Sequence, residues 1–238
     1  PPTAIYVHEY LTVEGQKISK SLGNVIDPVA VAERFGTEAL RYWLLREMPR
    51  TEDADFTVER LITRYNSDLA NDLGNLLNRT VSMLHRYCSG VVPAAHPTGH
   101  SELAFCSLAD RLPGEVEAAL DAFDFRSALT GIWELVTRAN RYVEERAPWA
   151  LARRVKEGDA TAEQELGTTL YTLAESLRLL AFHLAPFLPA AADKIATQLG
   201  IALETSGSWH DTTRWGGLPP GTHVAPPQPI FPRIELEG

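Results

Sequence analysis

The strongest constraint on the fold is an apolar stripe that recurs at helical spacing within residues 57–87. Its members are Leu69, Leu73, Leu76, Leu77, Thr80 and Leu84. At about 100° per residue, these side chains fall on one face of an α-helix. Thr57 is suited to begin that helix, because its hydroxyl can accept a hydrogen bond from a free backbone N–H. The sequence therefore predicts one long helix, to about Tyr87, with a buried face.

Helices are also predicted on both sides of this one, from capping residues, prolines and apolar periodicity. They cover residues 27–36, 37–47, 102–121, 125–146, 161–184 and 190–199. Pro113 should kink or break the third of these, because proline removes a helical hydrogen bond. Two stretches should be extended: residues 3–8 as a buried strand, and residues 53–56 as a link. The predicted fold is mainly α.

Composition excludes several classes of protein. The longest apolar stretch, residues 179–192, is interrupted by His183, Pro186 and Pro189 and falls short of a membrane span. No signal peptide is recognisable, so a soluble, cytoplasmic protein without a membrane partner is expected. The two cysteines lack C-x-x-C spacing and the seven histidines are scattered, so no metal site is expected. A net charge of −9 argues against sequence-independent binding of nucleic acid, and no DNA partner is expected.

A basic loop near the start of the chain carries the clearest chemistry. Its donor side chains are Lys17, Ser19, Lys20 and Ser21. Ammonium and hydroxyl donors suit a group that gains negative charge during a reaction, such as a polyphosphate, although a solvated surface turn has the same composition. Residues 17–21 resemble the KMSKS signature of class I aminoacyl-tRNA synthetases, with Ile18 in place of methionine. That resemblance implies that all four side chains bind ATP and that Lys17 and Lys20 are catalytic, stabilising the pyrophosphate.

Three further side chains have the chemistry of a base-binding site. Asn75 and Arg79 are four residues apart on the predicted long helix, opposite the leucines and on the same face as Asp68. An amide beside a guanidinium can hydrogen-bond the edge of an unstacked base, but a plain polar helix face shows the same pattern. Trp149 follows a proline where one helix should end and another begin. It is either a packing residue or a platform on which a base stacks.

The sequences around these side chains resemble methionyl-tRNA synthetases. Residues 68–79 are similar to the first helix of that family's anticodon-binding domain, and residues 147–149 match its Ala-Pro-Trp element. The resemblance covers nearly the whole chain. It implies that Asn75 and Arg79 contact the first anticodon base, a cytosine, and that Trp149 stacks on the anticodon.

The same resemblance implies a domain order. Residues 1–55 would hold the end of a catalytic domain, with a last Rossmann-type strand, the KMSKS loop and a small stem-contact α/β module. Residues 56–205 would form a helical-bundle anticodon-binding domain, and residues 206–238 a peptide that folds back. Zinc is not expected in this portion.

The reaction implied is ATP-dependent ligation of methionine to its tRNA through methionyl-adenylate, with Mg²⁺ accompanying ATP. The partners would be the tRNA for methionine, together with methionine and ATP bound jointly with another half of the catalytic domain. The HIGH-type motif of that half is absent from these 238 residues. We therefore expect a C-terminal portion that reads the CAU anticodon and is inactive alone. Two alternatives are a non-catalytic tRNA-binding module derived from a synthetase, and a plain helical scaffold.

Overall fold

The computed structural model describes residues 2–3, 5–95, 99–203 and 208–235. Its three short strands are β1 (Leu11–Val13), β2 (Gln16–Lys17) and β3 (Ala54–Phe56). The helices before the main bundle are α1 (Pro28–Phe35), α2 (Thr37–Glu47) and α3 (Val58–Arg64). Then come a π-helical stretch, the π segment (Tyr65–Gly74), and α4 (Asn75–Cys88), α5 (His100–Asp121), α6 (Phe125–Arg146), α7 (Pro148–Lys156), α8 (Ala160–Leu184), α9 (Pro189–Leu199) and α10 (Trp209–Thr212). The described chain is mainly α, as predicted.

The strands form a small sheet in the order β2-β1-β3. β1 pairs antiparallel with β2 and parallel with β3, so that Thr12 faces Lys17 on one side and Asp55 on the other. The hairpin turn at Glu14 and Gly15 has φ values of 52° and 72°, and such left-handed backbone matches the twist of a tight hairpin. Residues 53–56, predicted as a link, therefore contain a strand.

The predicted strand at residues 3–8 is wrong. Ala4 lies outside the described residues, and residues 5–8 have no regular structure, with Ile5 and Val7 largely exposed. A run of β-branched and aromatic residues forms a strand only where a neighbouring strand supplies hydrogen-bond partners. Within the described ranges, no strand lies beside this stretch.

Helices α1 and α2 form the small module with the sheet, and α2 packs on α6 of the bundle. Asp27 caps α1 as predicted, accepting a hydrogen bond from the Val29 N–H at 2.8 Å. The N-cap of α2 is Gly36 rather than Thr37, because Gly36 adopts a φ of 92° that the turn between the two helices requires. Glu38 of α2 accepts hydrogen bonds from the N–H groups of Ala190 and Ala191, and so caps α9.

The long helix predicted from the leucine stripe is present, as α3, the π segment and α4 in succession. Thr57 caps it by accepting a hydrogen bond from the Arg60 N–H. All six members of the stripe are fully buried. Asp68 was expected on the exposed face but is buried, because Tyr42 of α2 covers it and donates a hydrogen bond of 2.7 Å to its carboxylate. Burial and the adjacent carboxylate raise the pKa of Tyr42.

The bundle is completed by helices α5 to α9. The bounds of α6 are those predicted, and α8 and α9 each begin one residue earlier than expected. Helix α5 begins at His100 and continues through Pro113 without a break. Helix α8 lies at the centre of the bundle, and all of its residues from Thr168 to Leu184 are buried. None of the described helices is long and apolar enough to cross a membrane.

Residues 208–235, the C-terminal segment, pack back on the bundle. Val224 and Ile230 are buried, and Asn66 of the π segment pairs with the backbone of Ile234 through both of its side-chain polar atoms. The described part of this segment is therefore not a disordered tail. The predicted domain boundary at residues 205–206 lies outside the described residues and stays a prediction.

Candidate functional site

The basic loop is a structured turn that its own side chains hold together. Asn24 accepts a hydrogen bond from the Ser19 N–H at 2.9 Å and donates one to the Lys17 carbonyl at 3.1 Å. The hydroxyls of Ser19 and Ser21 lie 2.7 Å apart, and the Leu22 N–H donates to the Ser19 carbonyl. Asn24 thus fixes the backbone on which both lysines stand, a role that sequence reasoning missed.

Both lysines of the loop are exposed. The Lys17 Nζ lies 5.5 Å from the centroid of the Tyr10 ring, within cation–π range. No carboxylate forms an ion pair with Lys17 or Lys20 in the described part of the chain. Two uncompensated cations beside two hydroxyls are available to an anionic ligand.

The hairpin that leads into the loop is anchored by Asp55 of β3. Its carboxylate accepts hydrogen bonds from the Gly15 N–H at 2.7 Å and from the Thr12 hydroxyl at 3.0 Å. The Gly15 N–H is the main cause that lowers the pKa of Asp55. This carboxylate therefore ties the start of the basic loop to the sheet.

A second cluster lies where α4, α6 and α7 meet. Arg79 of α4 forms an ion pair with Glu144 of α6, with an N–O distance of 2.7 Å, and its guanidinium lies 6.0 Å from the centroid of the Trp149 ring. Asn75 lies one helical turn before Arg79 and is exposed. The fold thus brings Arg79 and Trp149 together from positions far apart in the sequence.

The exposure of Trp149 bears on the two interpretations of this residue. Its side chain is 47% exposed although it stands at the first turn of α7. Proline at the start of that helix and the left-handed backbone of Ala147, with a φ of 41°, direct the chain sharply between α6 and α7. A ring that keeps about half of its surface in solvent beside a guanidinium has a face open to a stacking partner.

Glu144 is the member of this cluster that sequence reasoning missed. It has a neighbouring acidic residue, Glu145, and nothing in the local sequence distinguishes the two. The structure does: Glu145 pairs with Arg138 and Arg141 along α6, whereas Glu144 reaches across to α4. Only this contact between helices distinguishes Glu144, and no signal in the sequence predicts it.

In the described ranges, no three His, Cys, Asp or Glu side chains come together in a way that could hold a metal ion. The two cysteines, Cys88 and Cys106, are free thiols, and burial raises the pKa of both.

Family models match the parts of the chain that hold the basic loop and the second cluster. A family model described as the anticodon binding domain of methionyl tRNA ligase matches residues 92–238, and one described as tRNA synthetases class I (M) matches residues 1–81. The chain belongs to the methionyl-tRNA synthetase family. The first of these matches includes Glu144 and Trp149, and the second includes the basic loop, Asn75 and Arg79.

Individual methionyl-tRNA synthetases are similar over nearly the entire chain. The methionine–tRNA ligase of Caldanaerobacter subterraneus subsp. tengcongensis is 44% identical over 236 residues, which are 99% of this chain and 36% of that protein. The methionine–tRNA ligase of Bacillus subtilis is 42% identical over 238 residues, 99% of this chain and 35% of that protein. The chain therefore spans about a third of the length of these relatives.

Solved structures agree with this assignment. The apo form of Mycobacterium tuberculosis methionyl-tRNA synthetase superposes with a TM-score of 0.86 at 34% identity, covering 99% of this chain and 45% of that one. The same enzyme in complex with methionyl-adenylate gives a TM-score of 0.87 at 37% identity, over 95% of this chain and 43% of that one. The mainly α fold with a small α/β module is that of methionyl-tRNA synthetases.

Proposed function

We propose that this chain supplies two parts of a methionine–tRNA ligase: a site that reads the CAU anticodon and a loop that acts on ATP. The observation that carries the proposal is the cluster in which the Arg79 guanidinium lies over the half-exposed ring of Trp149. Asn75, one turn away, adds an amide to the same surface. Asn75, Arg79 and Trp149, here called the reading residues or the reading cluster, stand on helices α4 and α7, which suits recognition of one base.

The cluster has the parts that recognition of an unstacked base needs. The Trp149 ring offers a face for stacking, and Asn75 and Arg79 offer hydrogen-bond donors and an acceptor for the edge of the base. Asn75 makes no side-chain hydrogen bond in the part of the chain that the structure describes, and its amide is therefore available. By resemblance to the family, the base is the cytosine at the first position of the anticodon.

We assign the basic loop to the adenylation step. Lys17 and Lys20 would hold the polyphosphate of ATP with Ser19 and Ser21, and would stabilise the charge that builds on the leaving pyrophosphate. Mg²⁺ would accompany ATP, since this ion is commonly bound through substrate phosphates. Methionine and the adenosine would be bound jointly with a catalytic half carrying the HIGH-type motif. We therefore expect no methionine-dependent ATP–pyrophosphate exchange by these 238 residues alone.

The anticodon-reading role is tested by binding of the chain to an RNA hairpin that carries a CAU anticodon. We expect Trp149→Ala and Arg79→Ala each to weaken binding by about 1–3 kcal/mol, the range for loss of a stacking contact. Fluorescence anisotropy with a labelled hairpin gives the dissociation constants. Arg214→Ala, which removes an exposed arginine from the C-terminal segment, is the matched control and should bind as the unchanged chain does. Equal affinity of all four proteins would overturn the assignment.

A further inference from the structure

We propose that the π segment is a positioning element for the reading residues, and that Asn140 of α6 holds it in place. The inference rests on the proposed reading role of Asn75 and Arg79. In this proposal the π segment and Asn140 do not contact the RNA. They set the direction in which the side chains of Asn75 and Arg79 point.

The π segment immediately precedes Asn75. Its last hydrogen bond runs from the Asn75 N–H to the Ala70 carbonyl, five residues back, rather than four as in an α-helix. Each π-type hydrogen bond spans one residue more than an α-helical one, and a change of one residue would rotate the following helix by about 100°. The orientation of α4, and with it the position of Arg79 over Trp149, therefore depends on the π geometry.

Asn140 contacts the π segment where that geometry ends. Its side-chain amide donates a hydrogen bond of 3.0 Å to the Asp72 carbonyl and one of 3.2 Å to the Val136 carbonyl on its own helix. Asn140 lies one turn before Glu144, the partner of Arg79. The same helix thus holds the π segment at one residue and Arg79 at another.

Two further contacts fix the π segment from other directions. Asp68 accepts the hydrogen bond from Tyr42 of α2, and Asn66 pairs with the backbone of Ile234 in the C-terminal segment. Three parts of the fold therefore hold this one stretch of backbone.

Gly74 shows that the segment has little room to change. A Cβ built on this residue would lie 3.0 Å from the Leu69 carbonyl oxygen, which is tighter than ordinary van der Waals contact. Because this carbonyl is five residues back, the close approach belongs to the π geometry itself. Gly74→Ala would therefore disturb the segment without altering any side chain of the reading cluster.

The test compares affinity for the CAU hairpin with affinity for the same hairpin after its first anticodon base is changed. Asn140→Leu keeps a similar volume but removes the donor to Asp72, and Gly74→Ala disturbs the segment independently. We expect each variant to lower the ratio of the two affinities about fivefold while binding to the changed hairpin stays constant. Gln198→Leu is the matched control: it also removes an amide that hydrogen-bonds to the backbone, here to Gln228 from α9, and should leave the ratio unchanged.

A further variant, Arg79→Ala, distinguishes failure of the positioning role from failure of the reading role. If Arg79→Ala lowers the ratio but Asn140→Leu and Gly74→Ala do not, the positioning role is overturned and the reading role stands. An equal fall in the ratio for Gln198→Leu would also overturn it, because general loosening would then explain the effect. If Arg79→Ala itself leaves the ratio unchanged, the reading role fails and the positioning role with it. Thermal unfolding of every variant shows whether a changed ratio accompanies an intact fold.

Discussion

At the scale of single residues, His183 of α8 is a buried polar side chain whose ring makes no hydrogen bond in the described structure. It is fully buried, and its ring packs edge-on against Trp209. Burial lowers the pKa of His183 from 6.5 to about 3, and the nearby charge of Arg178 contributes in the same direction. The folded chain therefore holds this imidazole neutral over most of the acidic range.

This burial predicts a loss of stability in acid. Between about pH 6.5 and pH 3, the unfolded chain binds a proton at His183 that the folded chain does not, so the free energy of unfolding falls as the pH falls. From pH 7 to pH 5 the loss due to this residue should be about 2 kcal/mol. Urea unfolding at both pH values would measure it. His183→Leu should lose correspondingly less between the two, and an identical loss in both proteins would contradict the prediction.

At the scale of elements, the C-terminal segment is joined to α8 by a buried ion pair. Glu175 binds Arg178 at 2.7 Å and also accepts hydrogen bonds from the N–H groups of Gly216, Gly217 and Leu218. Arg178 in turn donates to the carbonyls of residues 212 and 214. The pair satisfies backbone groups that have no regular secondary structure of their own, which explains why a Pro- and Gly-rich stretch is ordered.

Removal of the Glu175 carboxylate should therefore lower the free energy of unfolding. Glu175→Ala leaves three backbone donors without their acceptor and the buried Arg178 guanidinium without its paired carboxylate, and breaking a buried pair in this way costs about 3–5 kcal/mol. Urea denaturation measures the loss, and limited proteolysis should show faster cleavage within residues 208–218. Glu163→Ala, which removes an exposed carboxylate from the same helix, should change stability by less than about 0.5 kcal/mol. Similar stabilities of the two variants would refute this account of the segment.

The elements that sequence could predict are those that depend on local patterns. The leucine stripe and the bounds of α6 follow from helical periodicity, and both are present. The pairing of β1 with β3 is not local: it joins Leu11 to Ala54, far along the chain. Likewise, the burial of Asp68 depends on Tyr42 from another helix, and no sequence pattern predicts the π geometry.

The residues of the candidate site also divide into those that the sequence could predict and those that it could not. Asn75, Arg79 and Trp149 could be proposed from residue chemistry and from family resemblance. Glu144 and Asn140 could not, because their importance lies in contacts between helices. What resemblance supplies is a set of residues; what the structure adds is the set of neighbours that orient them.

At the scale of the whole molecule, the module carrying the basic loop and the bundle carrying the reading cluster are packed together. Glu38 caps α9, Arg41 donates hydrogen bonds to the carbonyls of residues 186 and 187, and Tyr42 reaches Asp68 in the π segment. With a net charge of −9, the chain does not favour RNA as a whole. Under the proposed function, binding would therefore depend on particular side chains, and a base change at the reading cluster would lower the affinity strongly.

The measurement that tests the central claim most directly compares two hairpins with the unchanged 238-residue chain. One hairpin carries a CAU anticodon, and the other is identical except for its first anticodon base. Anisotropy titrations at one fixed salt concentration give both dissociation constants, since affinities for RNA depend on salt. The account predicts preference for CAU by tenfold or more, roughly 1.4 kcal/mol. Equal affinity for the two hairpins would contradict it.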